Sequence, residues 1–166
     1  EIFNFKVRFL TGQGGDIAAR FDLRDDNDNN ISFAMYTEDS TYASSGGFLG
    51  QTLNGNWTYV ELPAPHTITY DEWYDVKIEV SANNVKSFLN GSAWHNYTLQ
   101  SSETYGEQRF GATKANVRFD DVMQGGHLAN LSGTVSGLNS IQDAYVRCIV
   151  RNVDYVIQPE DRLSYS

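Results

Sequence analysis

The chain has 166 residues, 40% of them hydrophobic, and carries twelve Lys and Arg against twenty-one Asp and Glu, a formal net charge of -9. That length buries a core without disulfides or metals, and the apolar and aromatic content argues against disorder. The acidic balance repels phosphates, so nucleic acid and anionic lipid surfaces are not expected partners. No apolar run approaches the ~20 residues of a membrane-spanning helix, and no charged-then-apolar leader opens the sequence, so no membrane insertion is expected. Cys148 is the single cysteine. It excludes an intrachain disulfide and any zinc or redox motif built on paired cysteines, and its neighbours Val146, Ile149 and Val150 predict a buried small hydrophobe.

The elements read as strands throughout. Phe3, Phe5, Val7 and Phe9 alternate with Asn4, Lys6 and Arg8, the period-2 pattern of a half-buried strand. A glycine-rich turn at residues 11–15 follows. Ile17, Ala19, Phe21 and Leu23 then alternate with Ala18, Arg20, Asp22 and Arg24, and the pattern resumes at Ile31, Phe33 and Met35, predicting a hairpin. Strands at 48–53 and 57–62 flank Asn54-Gly55, a two-residue turn signal, and Pro63 and Pro65 end the second of them. Residues 71–90 predict a central hairpin, with Tyr74, Val76, Ile78 and Val80 on one face and Asp75, Lys77 and Glu79 on the other. Asn90-Gly91 turns the chain into a strand at 94–99. Further strands are predicted at 109–112 and 116–122. Gly125-Gly126 marks a boundary, and 131–135 and 144–150 are strand-like beyond it. No segment keeps a 3.6-residue apolar period over ten residues, so the class is all-β.

Three motifs in order, the strand Trp73 to Val80, the turn Phe88-Leu-Asn-Gly91 and the strand Phe119-Asp-Asp-Val122, resemble the concanavalin A-like jelly-roll superfamily, with its laminin-G-like and carbohydrate-binding modules. The Arg20-to-Phe33 hairpin, turning at Asp and Asn residues, resembles the same group. The resemblance implies an antiparallel jelly-roll β-sandwich over residues 1–124. It also implies an open sheet edge, because a strand or two that usually precedes the one at Phe3 is missing. From Asn130 onward, Leu-Ser-Gly-Thr-Val-Ser-Gly and Asp-Ala-Tyr-Val-Arg-Cys resemble the start of immunoglobulin-type modules related to carboxypeptidase regulatory domains. Residues 125–166 are then a partial module of that type or a short β extension of the sandwich.

In the acidic loop 25–30, Asp25, Asn27 and Asn29 have the alternate spacing of oxygen ligands, but Asn30 and Tyr36 stand where a helix-flanked calcium loop needs Gly and Glu; a hairpin turn is the expectation. The resemblance allows one structural calcium at Asp120 or Asp121, and no other cofactor is expected. Asp71, Glu72 and Asp75 lack the spacing of an alternating catalytic row, and His66, His95 and His127 are scattered, so an enzyme is not expected and a glycoside hydrolase is the least favoured reading. Sugar rings stack on exposed aromatics beside polar side chains, which nominates Trp94, Tyr97, Trp57, Tyr42 and Tyr105 as ligand-binding; Trp73 reads as a core plug. Glycosylation triplets stand at Asn30, Asn56, Asn90, Asn96 and Asn130. The expectation is an extracellular, cell-surface or virion-surface adhesion module that recognises a glycan or a surface protein. The alternative is a repeating subunit of a filament, sheath or viral fibre, self-assembled through open sheet edges by strand complementation.

Overall fold

The computed structural model describes residues 1–10, 18–25, 27–42, 44, 46–101, 105–113, 116–124, 127–128, 133–135 and 144–148. Its strands are β1 (Ile2–Phe9), β2 (Ala18–Arg24), β3 (Asn30–Tyr36), β4 (Gly47–Leu53), β5 (Asn56–Leu62), β6 (Trp73–Val80), β7 (Asn84–Leu89), β8 (Ser92–Thr98), β9 (Glu107–Thr113), β10 (Val117–Gln124), β11 (His127–Leu128), β12 (Gly133–Val135) and β13 (Ala144–Cys148). They form two antiparallel sheets. One has the order β11-β10-β1-β6-β7-β8, with β12 also on β10, and the other the order β13-β9-β2-β3-β4-β5.

The alternating faces explain the sandwich. Phe3, Phe5, Val7 and Phe9 of β1 are buried against Phe21 and Leu23 of β2 and Phe110 of β9. Phe5 lies 5.1 Å from Phe21 and 5.3 Å edge-on from Phe110, which is 5.0 Å from Phe119. Such offset and edge-on ring pairs join the sheets beyond their area burial alone. Both Asn-Gly turns take left-handed angles at each position, φ 49° and 79° at Asn54-Gly55 and 48° and 78° at Asn90-Gly91, the mirror-image turn that matches strand twist.

Two expectations change. The strand at Phe3 is not an open edge, because β1 is paired on both sides, to β10 and to β6. Trp73 does not plug the core. It shares the parity of Asp75, Lys77 and Glu79 and lies 40% exposed on the outer face, 6.0 Å from the Arg8 guanidinium. Beyond residue 124, β11 and β12 pair with β10 and β13 pairs with β9, so the described part of that segment adds strands to both sheets. The side chain of Cys148 lies outside the described residues, as does Asn130.

The core also holds polar groups, and two of them, His95 and Gln51, tie its strands and loops together. Ser87 of β7 and the His95 Nδ1 of β8 are 2.8 Å apart, and the His95 Nε2 lies 3.2 Å from the Gly47 carbonyl of β4. Gly47 can only accept, so Nε2 donates to it and Nδ1 accepts from the Ser87 hydroxyl. Burial holds the His95 imidazole down at about 4, with the Gly47 carbonyl pulling the other way. Gln51, fully buried, donates to the Ser101 carbonyl and the Tyr105 hydroxyl, both at 3.0 Å, and accepts from the Gln100 N–H at 2.9 Å.

Candidate functional site

The outward face of the second sheet is concave and holds an open cleft of about 500 Å³. Period-2 alternation decides what lines it. With Phe21, Leu23, Ile31, Phe33, Met35 and Leu49 turned inward, the opposite parity of each strand faces out. That parity supplies Arg20, Asp22 and Arg24 from β2, Asn30 and Ser32 from β3, Phe48 and Thr52 from β4, Trp57 from β5 and Arg109 from β9.

The cleft has two chemically distinct sides. One is aromatic. Trp57 stacks on Tyr59 at 5.5 Å and 17° and meets Phe48 edge-on at 5.4 Å, while Tyr36 and Tyr42 pair at 5.5 Å. Gly50 shapes this side, since a Cβ there would stand 2.8 Å from the Trp57 ring and 2.4 Å from the Thr58 carbonyl. Without a side chain beneath it, the indole lies down over the sheet with 39% of Trp57 exposed. The other side is charged. Asp22 stands opposite Arg109 and Ser32 in the ladder and is only 6% exposed. Burial pushes its carboxyl above the usual range, against the opposing pull of Arg20, the Ser32 hydroxyl, Arg24 and Arg109. Arg24 donates to Asp28 at 2.6 Å, and Arg109 makes a two-pronged pair with Glu107 at 2.6 and 3.2 Å. Asp22 Oδ1 and Arg24 Nε are buried without a hydrogen-bond partner among the described residues. Buried polar atoms are normally satisfied; the charge nearest to Asp22 Oδ1 is the Arg20 guanidinium, at 3.9 Å.

Of the five nominated aromatics, Trp57 and Tyr42 line the cleft. The other three do not. Trp94 is 7% exposed, with its indole edge-on to Phe33 at 5.6 Å, stacked on His95 at 4.5 Å and donating to the Leu62 carbonyl at 3.1 Å. Gly47 makes its room: a Cβ there would sit 2.8 Å from the Trp94 ring. Tyr97 is equally buried and its hydroxyl bonds Thr58 across the sandwich. Tyr105 is half-buried against the core and accepts from Gln51. Trp94 and Tyr97 are core groups whose polar tips join the sheets, and Tyr105 ties the loop before β9 to β4.

The other nominated residues scatter. Asn56, Asn90 and Asn96 are exposed, whereas Asn30 is half-buried in the cleft and accepts from the Ser32 hydroxyl at 2.9 Å. Asp120 and Asp121 occupy a bulge in β10, where Asn4 faces Met123 but Lys6 faces Asp120, and Asp121 takes φ 50°. Asp121 pairs with Lys6 at 2.6 Å, and Asp120 accepts the Asp121 N–H at 2.8 Å. Asp25 caps its own hairpin loop, accepting from the Asn27 and Asn29 N–H groups at 2.8 Å and the Asn29 amide at 2.7 Å. Among the described residues, no group of three or more His, Cys, Asp or Glu is arranged to hold a metal ion.

No protein-family model matches the sequence, and no curated protein matches it. Solved structures do match. Sheep galectin-11 in complex with glycerol is 12% identical with a TM-score of 0.51, over 81% of this chain and 88% of that one. A Bacillus licheniformis β-glucanase is 13% identical with a TM-score of 0.51, over 69% of this chain and 53% of that one. At these identities the likeness is one of fold: an all-β, antiparallel jelly-roll sandwich.

Proposed function

We propose that the concave sheet is a carbohydrate-recognition surface that binds without catalysis. The observation that carries this reading is the pairing of an aromatic side, Trp57 with Tyr59 and Phe48, with a charged side made of buried Asp22 and half-buried Arg24 and Arg109, across one cleft. A sugar ring is amphipathic in the same way. Its apolar face stacks on an indole while its hydroxyls exchange hydrogen bonds with carboxylate, guanidinium and amide groups. The neighbours lend the reading support, one being a galectin that carries the polyol glycerol and the other an enzyme named for a glucan.

Hydrolysis of a glycosidic bond needs two carboxyl groups flanking it, roughly 5 to 9.5 Å apart. Asp22 is the sole acid among the described residues lining the cleft, and Glu107 is committed to Arg109; both facts favour binding over turnover. An extracellular setting belongs to the same reading, supported by the exposed triplets at Asn56, Asn90 and Asn96. The test is a glycan array on the purified chain beside Trp57→Ala, with reducing-end release measured on every hit. Binding lost in the variant and no release are expected. A wild-type chain with no hits, or one that shortens its ligand, defeats the proposal.

A further inference from the structure

The second sheet ends at β5, which pairs only with β4 among the described strands. Sheet edges are ordinarily guarded by lysines, prolines, bulges or a covering loop. β5, Asn-Trp-Thr-Tyr-Val-Glu-Leu, has one charged residue, Glu61, and leaves Trp57, Tyr59 and Leu62 39%, 49% and 41% exposed. The chain around it carries a net charge of -9, so an almost uncharged, aromatic edge stands out as a place where another strand can lie.

The hairpin geometry fixes which groups that edge offers. In a two-residue turn of this type, the residues flanking the turn, Leu53 and Asn56, form a closely hydrogen-bonded pair. Counting along the ladder, Thr58 with Gln51 and Val60 with Leu49 are bonded in the same way. Trp57, Tyr59 and Glu61 therefore turn their N–H and C=O groups away from β4, toward the open edge. Pro63 falls on that outward row, where it has no N–H to offer, and closes it.

We infer that β5 pairs antiparallel with β5 of a second copy of this chain, centred on Tyr59 opposite its own counterpart. A twofold axis there places Trp57 opposite Glu61 and Glu61 opposite Trp57, and each outward pair exchanges both of its backbone hydrogen bonds. No like charges meet. Directly opposed residues share a face, so the two concave sheets become one continuous sheet with both clefts opening on the same side. If the clefts bind glycans as proposed above, the dimer holds two sites on one surface and gains avidity from a multivalent target. The pairing itself needs no glycan, so the two ideas fail separately.

A single strand pair is at the small end of interfaces, so mass is measured by sedimentation over roughly 5 to 500 µM, a range suited to weak association. The weight-average mass is expected to climb from 18.6 kDa toward twice that value. Trp57→Glu opposes carboxylates at both ends of the pair and is expected to weaken association about tenfold or more. Adding Glu61→Lys restores opposite charges and the association with them. Both positions are on the surface, and a thermal melt of each variant confirms that it folds. A chain monomeric at every concentration, a dimer indifferent to Trp57→Glu, or one that Glu61→Lys does not rescue overturns the pairing.

Discussion

Acidification should loosen the sandwich through His95. The imidazole is 2% exposed between β7, β8 and β4, accepts from Ser87 and donates to Gly47. A proton on Nδ1 would replace its acceptor with a second donor and place a charge beside Trp94 and Phe33. The folded value of about 4 lies below the ordinary 6.5, so on acidification the unfolded chain takes up the proton first. The His95 contribution is whole above pH 6.5, is lost progressively as pH falls toward 4, and changes no further below that. Each pKa unit corresponds to ~1.36 kcal/mol, which makes the full loss roughly 3 kcal/mol, a large share of a typical domain's stability. Urea unfolding at steps from pH 7.5 to 3.5 measures it, with His95→Gln as the reference that cannot titrate. The variant starts less stable, and the gap between the two chains should narrow across the pH 6.5 to 4 window. Subtracting it removes common terms, including the raised Asp22 carboxyl, which acts in the opposite direction. A gap constant with pH, or a His95 resonance titrating near 6.5 in the folded protein, would show that burial does not hold the imidazole neutral.

Trp94→Ala should cost about 3 to 5 kcal/mol, since it empties a packed slot and leaves the Leu62 carbonyl without its donor; a denaturation curve checks this. Trp57→Ala, at an exposed position, should leave the melting curve nearly unchanged while weakening sugar binding about tenfold, read by calorimetry. Asp22→Asn removes the carboxylate that faces Arg20, Arg24 and Arg109 and should weaken binding as well, read by the same calorimetry. Gly50→Ala should disturb the platform from below, since its Cβ would meet the Thr58 carbonyl at 2.4 Å; a shift in the Trp57 fluorescence reports it.

Strand order and faces were legible in the sequence because alternation is local. Phe3 to Phe9, Tyr74 to Ile78 and the two Asn-Gly turns reveal which side of each strand is buried before any partner is known. The cleft was less visible, although half of its signal was present: Arg20, Asp22 and Arg24 are the polar parity of β2, and their convergence with Arg109 depends on β9 pairing with β2 across most of the chain. That pairing has no local trace. Aromatic residues misled for a related reason. Trp94 and Tyr97 carry hydrogen-bonding tips, as binding residues do, but they spend them on Leu62 and Thr58 of the facing sheet. Trp73 was open to a simple parity check, since it alternates with buried Tyr74 and so faces outward. The free edge also moved, from the first strand to β5, because neighbours in the sheet are set by topology and not by order in the chain.

A sugar site on the concave sheet is tested by backbone amide shift mapping with a panel of neutral and acidic oligosaccharides. Saturable shifts are expected, confined to residues of the cleft, Asp22, Arg24, Ser32, Phe48, Trp57 and Arg109, and lost in Trp57→Ala. Shifts gathered instead on the outer face around Lys6, Lys77 and Phe88, or no response to any sugar in the panel, would contradict it.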